Sequence, residues 1–274
     1  NKLTIKEGAT FTTKSNVTFT EFIAEENSTI SLGNDASDIS RFGIDAPFSS
    51  VMFKNVNLSI AGTIEAQEIT FDCPDGSVTL LDSVTFTCPL ILENDLSFIN
   101  DPALVTNSTL TFNEPISGTN STENFEINTN PNHRTKISFS KEITSLNNVT
   151  IVGNLNNTSS IDINGTLSID STNNAEAILR GNVTAKEFLY KGEKLTLGEA
   201  VETVTTEGSQ KYNGPVEFNF DGLNLIVTTH SNSGSNPKIT FTDSLQTWLS
   251  SATPLSLKIG SATYPTDANF NAIS

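Results

Sequence analysis

The chain has 274 residues, of which 17% are charged and 36% are hydrophobic, and its formal net charge is −16. The acidic excess argues against nucleic acid as a partner and against anionic membrane surfaces, because few cations are present to neutralise phosphates. No apolar segment is long enough to span a bilayer as a helix, so we expect no direct membrane insertion by this segment. The modest hydrophobic content favours a thin, elongated core over a thick α/β domain.

A short strand-like phrase, apolar then Thr or Ser then apolar, returns along the whole chain. Alternation with a period of two places the apolar side chains on one face, and β-branched and aromatic residues favour the extended conformation. Copies of the phrase are Leu3-Thr4-Ile5, Val17-Thr18-Phe19, Ile69-Thr70-Phe71, Val84-Thr85-Phe86, Leu110-Thr111-Phe112, Ile137-Ser138-Phe139 and Ile239-Thr240-Phe241. Many such strands separated by turns predict an all-β fold, an elongated parallel β-helix (β-solenoid).

The two cysteines, Cys73 and Cys88, follow matching phrases, Ile69-Thr70-Phe71 and Val84-Thr85-Phe86. If both phrases occupy the same wall of successive coils, the cysteines stack about 4.8 Å apart, which is within reach of a disulfide. We therefore predict a Cys73–Cys88 disulfide in an oxidising compartment. Two buried free thiols are the alternative. A metal or redox site is disfavoured, because cysteine ligands of metals come closer together and with more partners.

The middle of the chain, 107–170, is the richest in asparagine. We expect stacked Asn side chains in successive coils to hydrogen-bond along the stack, although codon bias is an alternative source of this composition. Asn164-Gly165 joins two predicted strands. This dipeptide suits a tight hairpin, but we predict a solenoid corner, because Asn and Gly tolerate a positive φ and the neighbouring repeats do not pair as meanders.

Helix signals are few. The best candidate is the segment 244–249, with Asp243 as a possible N-cap and Trp248, the only Trp, packed over an end of the stack. From residue 250 onward the sequence has a different texture, with Pro254, Pro265 and little alternation. We therefore predict a β-helix repeat region over 1–249 and a short C-terminal cap, a linker or the start of another segment over 250–274.

The segment 202–229, followed by 238–241, resembles the repeat of large bacterial exoproteins of the filamentous haemagglutinin type. The residues that carry the resemblance are Thr206, Gly208, Gln210, Tyr212, Asn213, Gly214 and Val216. The resemblance implies a right-handed parallel β-helix, exported by two-partner secretion or as an autotransporter passenger through an outer-membrane translocator. It further implies a secreted or bacterial cell-surface location and a role in adhesion or as a stalk, and it brings no catalytic residues with it.

The sequence begins in the middle of the strand pattern, without an initiator Met or a signal peptide. We therefore expect an internal fragment of a longer exoprotein.

Chemistry-bearing motifs are absent from the sequence. His133 and His230 lie in polar loops without a recognisable partner, and there is no nucleophile elbow, phosphate-binding loop or zinc spacing. The closely spaced carboxylates Asp35 with Asp38, and Asp72 with Asp75, are better explained as turn formers. The sequence therefore predicts no catalytic residue, no cofactor and no metal.

We expect a non-enzymatic adhesin or stalk segment that contributes to virulence by attachment to host-cell surface glycans or extracellular-matrix proteins. A long polar wall of hydroxyl and amide groups suits many weak contacts of this kind. The alternative is a β-helical polysaccharide-degrading enzyme, a lyase or a glycoside hydrolase. It would need clustered acids and a basic or aromatic groove on one wall.

Overall fold

The computed structural model describes residues 2–19, 21–42, 51–74, 76–103, 107–129, 135–173, 175–198, 201, 203–218, 223–227, 238–247, 257–259 and 267–270. These residues form β-strands joined by turns and short connections, and none of them is helical. The prediction of an all-β fold is therefore confirmed.

The strands are short, because each wall of the fold is only a few residues wide. In chain order they are β1 (Lys2–Ile5), β2 (Thr10–Thr12), β3 (Val17–Phe19), β4 (Glu21–Ala24), β5 (Thr29–Leu32), β6 (Ile39–Phe42), β7 (Val51–Lys54), β8 (Asn57–Glu65), β9 (Ile69–Asp72), β10 (Gly76–Phe86), β11 (Leu90–Leu92), β12 (Leu96–Asn100), β13 (Thr109–Phe112), β14 (Ile116–Gly118), β15 (Phe125–Asn128), β16 (Lys136–Phe139), β17 (Ile143–Thr144), β18 (Val149–Val152), β19 (Asn154–Asn157), β20 (Ile161–Asp162), β21 (Thr166–Ser171), β22 (Ala177–Leu179), β23 (Val183–Ala185), β24 (Glu187–Gly192), β25 (Leu195–Leu197), β26 (Thr203–Thr206), β27 (Gln210–Asn213), β28 (Val216–Phe218), β29 (Leu223–Val227), β30 (Lys238–Phe241), β31 (Leu245–Thr247), β32 (Leu257–Ile259) and β33 (Asp267–Phe270).

Successive strands turn around a common axis and stack in parallel as three sheets. Sheet 1 has the order β7-β9-β11-β14-β17-β20-β23-β26-β29-β32, and β1 and β4 form a separate parallel pair before it. Sheet 2 runs through β2, β5, β8, β10, β12, β15, β18, β21, β24, β27, β30 and β33. Sheet 3 runs through β3, β6, β8, β10, β13, β16, β19, β22, β25, β28 and β31. Strands β8 and β10 belong to both sheet 2 and sheet 3. The predicted parallel β-solenoid is therefore confirmed.

The core is a narrow column of inward-pointing apolar side chains. Phe86, Phe112 and Phe139 occupy the same register in sheet 3, and each is 1% exposed. Their rings stack almost parallel, with centroids 5.4 Å apart for Phe86 and Phe112 and 5.0 Å apart for Phe112 and Phe139. In sheet 2, Tyr212 stacks on Phe241 in the same way, with centroids 4.6 Å apart. Where neighbouring coils carry aromatic residues in register, their rings are therefore buried against one another.

A ladder of polar side chains runs along the corner that precedes sheet 2. The carboxylate of Asp95 accepts hydrogen bonds from the backbone N and the Nδ2 of Asn124, both at 2.8 Å. The Oδ1 of Asn124 accepts from Nδ2 of Asn148 at 2.8 Å, and the Oδ1 of Asn148 accepts from the backbone N of Thr166 at 2.8 Å. The predicted Asn ladder is confirmed, and it supplies acceptors to backbone N–H groups at a bend in the chain.

The Asn164-Gly165 dipeptide forms a corner, as predicted. It joins β20 in sheet 1 to β21 in sheet 2, and these strands do not pair with each other. The predicted reason for the glycine is wrong, because Gly165 does not have a positive φ. A Cβ atom at Gly165 would lie 2.3 Å from the carbonyl oxygen of Asn147 in the preceding coil. Close approach of two coils therefore requires the glycine.

The predicted helix over 244–249 is wrong. Leu245–Thr247 is strand β31, which continues sheet 3 by pairing in parallel with Val216–Phe218. The helical propensity of this short segment is outweighed by the hydrogen bonds that an existing sheet edge offers. Trp248 lies outside the described residues. Beyond residue 249, β32 pairs with β29 and β33 pairs with β30.

Candidate functional surface

The outer surface of sheet 2 carries two rows of side chains in register, which we call the outer rows. Along each row, neighbours belong to successive coils and lie about 4.8 Å apart, and on each strand one inward-facing residue separates the two rows. The first outer row contains Thr10, Thr29, Asn57, Ser77, Ser97, Glu126, Thr150, Ser168, Leu189, Lys211 and Thr240. The second contains Thr12, Ser31, Ser59, Thr79, Ile99, Asn128, Val152, Asp170, Lys191 and Asn213.

The N-terminal part of the outer rows is free of charge. From β2 to β12 every side chain in these rows is a hydroxyl or an amide, apart from Ile99. In a chain with a net charge of −16, this stretch forms an uncharged wall of hydrogen-bonding groups. Such a wall can bind neutral polar ligands without the free-energy cost of removing water from charged side chains at the contact.

A shallow depression of about 320 Å³ lies where the uncharged stretch ends. Its lining residues are Gly76, Ser77, Asp95, Leu96, Ser97, Asn124 and Glu126. Two carboxylates, Asp95 and Glu126, therefore border one depression, but Asp95 already accepts two hydrogen bonds from Asn124. The described residues contain no group of three or more His, Cys, Asp or Glu side chains that could hold a metal ion.

A second depression, of about 290 Å³, lies further along sheet 2. Its lining residues are Ser168, Ile169, Asp170, Leu189, Tyr190, Lys191, Lys211 and Asn213. The Nζ of Lys191 donates a hydrogen bond to Oδ2 of Asp170 at 3.0 Å. Partial burial opposes ionisation of Asp170, but hydrogen bonds from Lys191 and Thr172 outweigh it and hold the pKa of Asp170 below its ordinary value. This depression combines cations, an anion and an exposed apolar side chain.

One carboxylate is deeply buried among the described residues, that of Glu123, which is 2% exposed. It accepts hydrogen bonds from the backbone N atoms of Asn120 and Thr122, each at 3.1 Å. Burial alone would raise the pKa of Glu123, but the donors around it outweigh burial and lower it. A general acid needs a raised pKa, so Glu123 is a structural anion that holds the turn after β14.

Of the two acidic pairs noted in the sequence, Asp35 with Asp38 serves a turn. Oδ2 of Asp38 accepts from the backbone N of Asn34 at 2.7 Å, and Oδ1 of Asp35 accepts from the backbone N of Ser37 at 2.8 Å. Asp72 accepts from Nδ2 of Asn94 at 2.6 Å. The prediction that Asp35 and Asp38 form a turn is therefore confirmed. Asp75, His133 and His230 lie outside the described residues.

The structure does not bring the two cysteines together, and both thiols are free. Ile69–Asp72 is in sheet 1, whereas the phrase before Cys88 belongs to β10 in sheets 2 and 3, so the predicted stacking of the two phrases is wrong. Leu90 pairs with Ile69, which places Cys88 before the start of β9 and Cys73 beyond its end. The four residue-to-residue steps from Ile69 to Cys73 alone span about 13 Å, more than a disulfide tolerates.

Both cysteines are expected to react with a thiol reagent only after unfolding. Burial raises the pKa of the Cys73 thiol and raises that of the Cys88 thiol to about 12, so little thiolate is present at neutral pH. The measurement is thiol titration at neutral pH with and without denaturant, in the absence of reductant. Release of both thiols by denaturant alone supports the structure, whereas a need for reductant would restore the disulfide prediction.

The phrase that resembles the exoprotein repeat has a structural role. The Tyr212 hydroxyl donates to Oε1 of Gln210 at 3.0 Å, and Nε2 of Gln210 donates to the carbonyl oxygen of Val204 at 2.9 Å. The hydroxyl of Thr206 donates to the carbonyl oxygen of Gly208 at 2.7 Å. Tyr212, Gln210 and Thr206 are all buried. The residues that carry the resemblance therefore build a hydrogen-bonded polar network inside a corner, and the exposed side chains between Thr206 and Val216 include those of Lys211 and Asn213.

Sequence reasoning missed the residues that the outer rows bring together. Leu189-x-Lys191 and Lys211-x-Asn213 are the available signals, since alternate residues of a strand share one face. Their alignment in neighbouring coils depends on the length of the connections between them.

Comparison with known proteins adds nothing to these assignments, because no family model, no curated protein and no solved structure matches this chain. In the described part of the chain, no helix has the length and apolar character needed to cross a bilayer.

Proposed function

We propose that this chain is a segment of a secreted or surface-exposed bacterial adhesin or stalk, which attaches to host cells through glycans or extracellular-matrix proteins. The observation that carries the proposal is the uncharged stretch of the outer rows, where the same hydroxyl and amide chemistry repeats in successive coils. A ligand with repeating units, such as a glycan, can contact the same hydroxyl and amide groups in many successive coils. Individually weak contacts then add up to useful avidity.

The solenoid suits such a role mechanically. Each coil hydrogen-bonds only to its neighbours, so the fold can grow to any length and can carry a binding surface away from its attachment point. The resemblance in 202–229 and 238–241 supports export through an outer-membrane translocator and a place at the bacterial surface. Binding to glycans or extracellular-matrix proteins is the part of this proposal that the purified chain tests directly.

The second candidate function is a β-helical polysaccharide-degrading enzyme. The depression bordered by Asp95 and Glu126 favours it, because two carboxylates beside a glycan could act as acid and base. The hydrogen bonds from Asn124 to Asp95 count against it, since they already engage both oxygens of this carboxylate in the link between two coils.

The deciding experiment is an array of neutral glycans, acidic glycans and extracellular-matrix proteins, run beside a turnover screen on the same polysaccharides. We expect binding without turnover. A Thr79→Glu variant places a charge in the uncharged stretch and is expected to weaken binding about tenfold, because a carboxylate must be desolvated at the contact.

The matched control is Thr85→Glu, which places the same charge in the same coil but on sheet 3. It is expected to bind as the unmodified chain does. Equal losses in both variants would remove sheet 2 as the binding wall. Turnover that is abolished by Glu126→Gln would replace the adhesin proposal with the enzyme.

A further inference from the structure

The lysines of sheet 2 are confined to one end of it. In the described residues of its strands the only cations are Lys191, Lys211 and Lys238, and these lie on the neighbouring strands β24, β27 and β30. The charged side chains of the outer rows before β24 are Glu126 and Asp170. In a chain with a net charge of −16, these three strands are therefore the part of sheet 2 where an anion meets lysine side chains.

Lys211 is a cation of the second depression that is available for a ligand. No carboxylate of the described residues lies within 4 Å of its Nζ, whereas Lys191 is held by Asp170. In register, Lys211 lies between Leu189 and Thr240, neither of which is charged. The nearest acid on the neighbouring strand is Glu187, whose side chain lies against Gly208 at the corner, within 3.2 Å of where a Cβ atom would stand.

The surroundings of Lys211 match a sugar better than a simple ion. Leu189 is 36% exposed, one of the few large apolar side chains that the described residues leave open, and it lies beside Lys211 in the second depression. Asn213, Ser168 and Asp170 add hydrogen-bonding groups around it. An apolar patch surrounded by a few fixed polar groups is the usual composition of a small-ligand site.

We propose that the depression formed by Ser168, Asp170, Leu189, Lys191, Lys211 and Asn213 binds an anionic sugar residue of a glycan. The Lys211 ammonium contacts the acidic group, and Leu189 packs against the C–H face of the ring. Asn213, Ser168 and the Lys191–Asp170 pair bind its hydroxyls. This inference rests on the proposed glycan-binding function and names the class of sugar that this end of sheet 2 selects.

The test is binding of the whole chain to matched glycans that differ only in charge: neutral, carboxylated and sulfated. We expect anionic glycans to bind more tightly than neutral ones. We expect this preference to fall between about 0.01 M and about 1 M salt, as the Debye length shortens from about 30 Å to about 3 Å. Lys211→Gln is expected to weaken binding of the anionic glycans about tenfold and to leave neutral glycans unaffected.

Lys136→Gln is the matched control, because Lys136 is an exposed lysine on sheet 3, away from the depression. The substitution removes the same net charge and is expected to change the binding of neither anionic nor neutral glycans. Equal weakening by both substitutions would overturn the site, as would equal binding of neutral and anionic glycans. Those results leave glycan binding itself intact, whereas no binding to any glycan would overturn the proposed glycan binding together with this inference. The carboxylated and sulfated arms identify the acidic group.

Discussion

Replacing Phe112 with alanine is expected to lower the free energy of unfolding by about 3–5 kcal/mol. The Phe112 ring is 1% exposed and stacks between Phe86 and Phe139, with centroids 5.4 Å and 5.0 Å away. It also contacts Phe98 and Phe125 edge-on at 5.6 Å and 6.0 Å. Removing it leaves a cavity that the stacked coils cannot close, because their spacing is fixed by backbone hydrogen bonds.

The measurement is urea denaturation followed by far-UV circular dichroism, with the slope against denaturant used to check that the unfolded states are comparable. Phe11→Ala is the matched control, since Phe11 is only half-buried in the first strand of sheet 2 and contacts Phe19 at 5.9 Å. It is expected to cost about 1 kcal/mol. Similar losses at both positions would contradict a core whose stability comes from stacking between coils.

Gly62→Ala is expected to destabilise the protein by about 3 kcal/mol. Gly62 has a φ of +80°, and a Cβ atom there would lie 2.1 Å from the carbonyl oxygen of Asp38. That oxygen cannot retreat freely, because it accepts the backbone N–H of Thr63 at 2.8 Å. The alanine therefore adds a backbone clash to the strain of a left-handed conformation.

Gly8→Ala separates these two effects. Gly8 has a similar φ of +69°, but a Cβ atom there would have no neighbour within 4 Å. It is expected to cost about 1 kcal/mol, the strain alone. Thermal or urea unfolding of both variants gives the comparison. If Gly8→Ala and Gly62→Ala destabilise equally, the close approach of the two coils at Gly62 is not a constraint.

The strands of this protein could be predicted from sequence because their pattern is local. Val84-Thr85-Phe86, Leu110-Thr111-Phe112 and Ile137-Ser138-Phe139 all form strands, and the structure places them in one register of sheet 3. The Asn ladder was predictable for the same reason, since Asn124 and Asn148 follow turns and can reach the next coil with a short side chain. Alternation and turn chemistry need no knowledge of distant residues.

The same phrase does not say which sheet its strand joins. Ile69-Thr70-Phe71 lies in sheet 1, Leu110-Thr111-Phe112 in sheet 3 and Ile239-Thr240-Phe241 in sheet 2. The disulfide prediction failed at this step, because it assumed that two similar phrases share a wall. The helix prediction over 244–249 failed because a short segment has little intrinsic preference and an open sheet edge decides its state.

The sequence by itself therefore determined the strands, the thin apolar core, the turns and the acidic character, since each depends on neighbouring residues or on composition. Only the tertiary structure decided what the outer rows contain, which glycines are forced by contact, and that Leu189, Lys191 and Lys211 meet on one wall. The physical reason is that the coils differ in length. Residues far apart in sequence become neighbours only when every intervening connection is known, and surface side chains are not constrained by the packing that fixes the core.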